Sequence, residues 1–142
     1  MSKAAAVGLT LIVLGTWIRL MTYRHMGRFF RFEASIQKDH ELIVSGPYSV
    51  VRHPAYTGFI LVSVGGLPWQ LSKGSWIVES GLWNSMSGKL LVVIYFGSVN
   101  FLISSLGLLR MKKEDIALRN QFGEKWDDWA KKVPYSLFPG IY

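Results

Sequence analysis

Two short stretches of the chain hold most of the side chains that could do chemistry. The first, 40–58 (HELIVSGPYSVVRHPAYTG), brings His40, Glu41, Tyr48, Arg52, His53 and Tyr56 into one run. The second, RMKKED from 110, carries Arg110, Lys112, Lys113, Glu114 and Asp115. Together they offer cations, a carboxylate and aromatic rings, the set that holds a ligand bearing both charges and a flat base. Each also has a plainer reading. An Arg-His pair beside an apolar block can anchor lipid headgroups, and His40 can be a solvated loop histidine. Arg110 and Glu114 are four apart and can pair with each other on one helix face for a few tenths of a kcal/mol. Other chemistries have less support: there is no Cys, and no GxGxxG, GxxxxGK[ST], HExxH or GxSxG. Three histidines without ligand spacing make a poor metal site, so no metal is expected.

The elements that must position these residues are written as apolar blocks. Half of the 142 residues are hydrophobic, yet the net charge is +7, because Lys and Arg gather between the blocks. Blocks at 4–23, 55–72 and 90–109 are long enough, or nearly so, to cross a hydrocarbon core of about 30 Å. The second, interrupted by Gly65, Gly66 and Pro68, is expected to be short and kinked. The third carries Gly97, Ser98, Asn100, Ser104, Ser105 and Gly107, small and polar residues that let membrane helices pack closely. Basic residues follow the first block instead of preceding it, so a retained anchor is expected in place of a cleaved signal. The stretch 73–89, with Trp76 and Trp83, reads as a loop or interfacial segment. From 111 to 133 the pattern becomes an amphipathic helix, with Leu118, Phe122, Trp126, Trp129 and Val133 on one face.

The expected architecture is therefore all-α and integral to the membrane: one domain over 1–142, with three transmembrane helices, a cytosolic loop 24–54 and a cytosolic tail 110–142 containing the amphipathic helix. Lys and Arg are few before the first block, many in 24–54, few in 73–89 and many after 110, which places both polar segments in the cytosol. Basic charge flanking apolar blocks fits an anionic membrane face, and no nucleic-acid fold signature accompanies it.

At this point the motifs become specific. The run 40–58 followed by RMKKEDIALRNQFGEKWDDWAKKVPYSLFP at 110–139 resembles the isoprenylcysteine carboxyl methyltransferase family. The likeness rests on the Arg-His-Pro-x-Tyr-x-Gly of the first stretch, and on the Glu-x-x-x-Leu-x-x-x-Phe-Gly with a following Val-Pro of the second. It implies S-adenosylmethionine as cofactor, bound by His40, Glu41, Leu42, Ile43, Tyr48, His53, Pro54, Ala55, Tyr56 and Glu114, with Glu33 in the place of a further polar contact. It implies that Arg110 binds the methyl acceptor and is the catalytic residue. It also implies an endoplasmic reticulum membrane, an active site facing the cytosol, and a prenylated protein or prenylcysteine as substrate.

Those roles are chemically coherent. A sulfonium, an ammonium, a carboxylate and an adenine call for a carboxylate, donors and rings, and an acceptor carboxylate is already ionised near neutral pH. Eukaryotic relatives have several spans before the cofactor loop, where this chain has one block. The lipid-facing part of the substrate tunnel is thus either reduced or completed by a second copy in a homo-oligomer. Two other readings keep the same motifs: methylation of another lipid-borne acceptor such as a phospholipid amine, or a catalytically silent membrane adaptor. A cation at Arg110 disfavours the first, and intact Arg110, Glu114 and His53 disfavour the second.

The topology is testable with an impermeant amine reagent. Lys38 and Lys125 are expected to react from one side of sealed membranes and Lys73 from the other; labelling of all three from one side would end the three-span topology.

Overall fold

The computed structural model describes residues 2–27 and 41–141. Five helices follow in order: α1 (Lys3–Met26), α2 (Pro54–Gln70), α3 (Trp76–Glu79), α4 (Met86–Phe122) and α5 (Glu124–Lys132). Single 3-10 turns lie at Gly46–Ser49 and Leu82–Asn84. No strand occurs among the described residues, so the expectation of an all-α membrane protein holds.

Two helices, α1 and α4, are long and apolar enough to cross a bilayer. Each contains its predicted block, and so does α2, nearly. With 17 residues, α2 is about 25 Å long, short of a hydrocarbon core of about 30 Å. Pro54 opens it at a position where a missing N–H costs nothing, and Pro68 stands two residues before its end.

Helices α1 and α2 form an antiparallel pair that depends on glycine. A Cβ added at Gly8 would stand 2.6 Å from the Gly65 carbonyl oxygen, and one at Gly58 would stand 2.5 Å from that of Gly15. Two glycines seven residues apart on each helix therefore let the backbones touch, the arrangement expected where lipid supplies no hydrophobic drive and close packing must do so. The small and polar residues of the third block point to such close packing in α4 as well. There Gly97 has nothing within 4 Å and Asn100 donates to its own helix at Phe96. A Cβ added at Gly107 would stand 3.5 Å from the Tyr56 ring, an ordinary contact.

The tail also departs from expectation. A separate amphipathic helix was expected over 111–133, but α4 runs unbroken from the apolar block to Phe122, since nothing between Leu109 and Phe122 interrupts helical hydrogen bonding. The break comes at Gly123, whose φ of +54° suits a residue without Cβ and whose N–H closes α4 on the Arg119 carbonyl at 2.8 Å. The predicted apolar face is thereby split, with Leu118 and Phe122 on α4 and Trp126 and Trp129 on α5. Trp129 and Val133 are buried.

At the opposite end from this tail, 73–89 contains α3 and the second 3-10 turn. Ser75 caps α3 by accepting from the Val78 N–H, and Ser85 caps α4 by accepting from that of Gly88 at 3.0 Å.

Gly15→Ala or Gly58→Ala should therefore force the pair apart and cost about 1 to 3 kcal/mol. Gly97→Ala should be neutral or slightly stabilising, as a glycine-to-alanine change in open helix. Thermal melting in detergent checks this, and equal melting of all three would remove the glycine contact from the account.

Candidate functional site

The site forms where the amino end of α2 faces the part of α4 just beyond its apolar block. His53 is the residue before Pro54, the first of α2, so its ring projects from a helix end. Glu114 and Asp115 are adjacent on α4, and both carboxylates turn toward that ring. His53 Nε2 lies 3.0 Å from Asp115 Oδ1, and Nδ1 lies 3.8 Å from Glu114 Oε2. A carboxylate accepts and does not donate, so the Nε2–H points at Asp115. The His53 side chain is only 5% exposed, which keeps the contact out of bulk water.

One turn into α2, the Tyr56 hydroxyl donates to Glu114 Oε1 at 3.0 Å. The same oxygen accepts from Arg110 Nε at 2.9 Å. The plain i,i+4 pairing weighed from the sequence is thus present, and it has a geometric result. Nε is held against Glu114, and among the described residues neither Nη group of Arg110 has an acceptor, so both can receive an anion edge-on. Glu114 Oε2, in turn, has His53 Nδ1 at 3.8 Å and accepts no hydrogen bond among the described residues.

Tyr48 comes within the electrostatic reach of Glu114 from the turn before α2. It lies in the first 3-10 turn, which starts at Gly46 in the left-handed region (φ +61°) beside the His25 ring. Its carbonyl accepts from Trp129 Nε1 at 3.2 Å, tying the turn to α5. Burial, and then the negative field of Glu114, push the Tyr48 hydroxyl above the ordinary tyrosine range. It therefore stays a neutral donor.

The residues singled out from sequence fall into three groups. Tyr48, His53, Tyr56, Arg110 and Glu114 come together. Pro54 is fully buried, Ala55 is half-buried, and both lie in the first turn of α2 beside them. Leu42 and Ile43 are half-buried and Glu41 is exposed in the extended segment before the turn, where no hydrogen bond or ion pair joins them to the cluster among the described residues. Glu33 and His40 lie outside the described residues.

Asp115 was named in its cluster but given no role, and the structure makes it the partner of His53. Headgroup anchoring is the plainer of the readings open to Arg52 from the sequence, but its guanidinium turns onto the Val133 and Pro134 carbonyls of the tail. No spacing within either stretch carries these contacts, because each partner lies on a distant segment.

Comparison with known proteins gives the chain a family. The isoprenylcysteine carboxyl methyltransferase (ICMT) family profile matches residues 7–78, half of the chain, covering α1, α2 and the segment between them. Protein-S-isoprenylcysteine O-methyltransferase B of Arabidopsis thaliana is 29% identical over 129 residues, 89% of this chain and 55% of its own length. The rat protein-S-isoprenylcysteine O-methyltransferase is 28% identical over 135 residues, 94% of this chain and 40% of its own. That of Schizosaccharomyces pombe is 26% identical over 89% of this chain and 46% of its own. The chain thus spans about half the length of the curated relatives it matches, and no solved structure matches it. The profile match over half the chain, with relatives extending through Arg110 and Glu114, shows that this integral membrane chain belongs to the isoprenylcysteine carboxyl methyltransferase family.

Proposed function

We propose that the chain methylates the C-terminal carboxylate of an isoprenylated cysteine with S-adenosylmethionine, at the cytosolic face of an endoplasmic reticulum membrane. The observation that carries this reading is the shared Glu114 carboxylate, held by Tyr56 and Arg110 on one oxygen and, among the described residues, accepting no hydrogen bond on the other. The residues fit the cofactor: a carboxylate with free accepting capacity for an ammonium, two tyrosines beside it, and a water-poor wall made by His53 and Pro54. S-adenosylmethionine, when bound, supplies a methyl group on a sulfonium, and the sulfur takes the bonding pair as the carboxylate oxygen forms the new C–O bond.

The chain's own side chains have three tasks in that step. Glu114 Oε2 accepts from the cofactor's ammonium. Arg110 presents its free Nη groups to the acceptor carboxylate, which neutralises and orients the nucleophile. His53, Pro54 and Tyr56 restrict water where two opposite charges are cancelled. No proton moves, because the acceptor is already ionised. The cofactor contacts of Glu33, His40, Glu41, Leu42, Ile43 and Ala55 belong to this proposal on the strength of the motif resemblance.

Location supports the split of roles. Arg110 stands one helical turn nearer the apolar block than Glu114, at the level where a lipid-anchored substrate presents its carboxylate. A guanidinium at that level suits a carboxylate and repels an ammonium, which separates this reading from methylation of a lipid amine.

Two substitutions test the assignment. Glu114→Gln should weaken S-adenosylmethionine binding by about 1 to 3 kcal/mol in calorimetric titration, one charged hydrogen bond's worth. Arg110→Lys keeps the charge but loses the planar fork. It should lower methyl transfer by roughly tenfold to a hundredfold, since a misplaced nucleophile is costly, while leaving cofactor affinity nearly intact. Unchanged affinity in a folded Glu114→Gln, or near-normal turnover in Arg110→Lys, would refute the respective role.

A further inference from the structure

The tail beyond α5 is held by an unusual row of contacts. The carbonyls of residues 133–137, five in succession, all accept from donors on the approach to α2 and its first turns. Arg52 Nη1 donates to the Val133 carbonyl at 3.1 Å and to that of Pro134 at 2.7 Å. The Arg52 backbone N–H donates to the Tyr135 carbonyl at 3.0 Å, and that of His53 to the Ser136 carbonyl at 2.9 Å. Thr57 Oγ1 completes the row on Leu137 at 2.6 Å. Arg52 Nη2 adds a bond to Ser136 Oγ at 2.6 Å.

Val133, Ser136 and Leu137 are buried, while Pro134 and Tyr135 between them face solvent, so the row is anchored at both ends. Arg52 Nε, which has no hydrogen-bond acceptor among the described residues, lies 4.0 Å from Asp115 Oδ2. The guanidinium thus spans the tail on one edge and the α4 carboxylate on the other. The next residue in the chain is His53, whose backbone is fixed by Ser136 and whose ring meets Asp115 and Glu114.

We propose that Arg52 is a positioning residue for the cofactor side of the site: by pinning residues 133–136 across the amino end of α2, it fixes the His53 ring against Glu114 and Asp115. It touches neither cofactor nor acceptor. A lysine there cannot reproduce the arrangement, because one ammonium cannot reach two carbonyls, a hydroxyl and a carboxylate from a single planar group. Ser136 is the tail's counterpart, contributing its carbonyl to His53 and its hydroxyl to Arg52. This inference rests on the proposed cofactor site, and the experiment separates the two.

The test uses the full chain in detergent, titrated calorimetrically with S-adenosylmethionine and assayed for methyl transfer. Arg52→Lys should raise the cofactor Kd by about tenfold, and Ser136→Ala by a smaller factor. At saturating cofactor, kcat should fall by a smaller factor than Kd rises, because Arg110 keeps its own bond to Glu114 while the His53 wall is loosened. Combining Arg52→Lys with His53→Gln should add little to His53→Gln alone, since both act through the same ring. A general loss of stability would behave otherwise. Ser85→Ala, which uncaps α4 at the far end, should lower the melting temperature and leave Kd unchanged. Arg52→Lys with unchanged Kd, or effects of Arg52→Lys and His53→Gln that multiply, would overturn the inference. An unmodified chain that binds no S-adenosylmethionine would instead refute the proposed function.

Discussion

Two adjacent carboxylates on α4, facing the amino end of α2, hold this molecule together at the end that matters. Across the membrane α4 is almost unpacked, with Leu90, Leu91, Val93, Ile94, Phe101, Leu102 and Leu106 all exposed. Apolar contact between helices contributes little drive in lipid, where tails are as apolar as leucine, so α4 cannot be tethered to the α1–α2 pair by its apolar block. The hydrogen bonds from His53 to Asp115 and from Tyr56 to Glu114 do that work, aided by the approach of Tyr56 to Gly107. Both are made in a water-poor setting and involve carboxylates, which places them among the stronger hydrogen bonds.

The same constraint gives the site its chemistry. Carboxylates that face a helix end and a buried histidine are already oriented before any ligand arrives. Glu114 accepts from Tyr56 and Arg110 on one oxygen and keeps the other available, so a structural tie and a binding group are one side chain. Arg110 inherits its orientation from the same tie. The α1–α2 pair, locked by glycine contact, then acts as the rigid support from which His53 and Tyr56 project.

Much of this was legible in the sequence, and the reasons are local. The blocks at 4–23, 55–72 and 90–109 correspond to α1, α2 and the apolar part of α4, because span length and hydropathy are properties of one segment. The motif residues Tyr48, His53, Tyr56, Arg110 and Glu114 do converge. What the sequence hid depends on pairs of segments. Gly8, Gly15, Gly58 and Gly65 show their seven-residue spacing plainly, but which helix each pair meets is not written in either one. The Arg52 clamp is less visible still, since it binds main-chain carbonyls, and every residue has one. Helix α4 continued past its apolar block because amphipathic and apolar helices share the same backbone, and only Gly123 offered a place to turn.

The most direct measurement of the central claim is the fate of a labelled methyl group. Purified chain in lipid would be given S-adenosylmethionine labelled in the methyl, with an S-farnesylcysteine analogue and a phosphatidylethanolamine offered together. The account predicts label in the cysteine derivative as a base-labile ester that releases labelled methanol, with none on the amine. Label on the lipid amine, or none transferred by a folded protein that binds the cofactor, would contradict it.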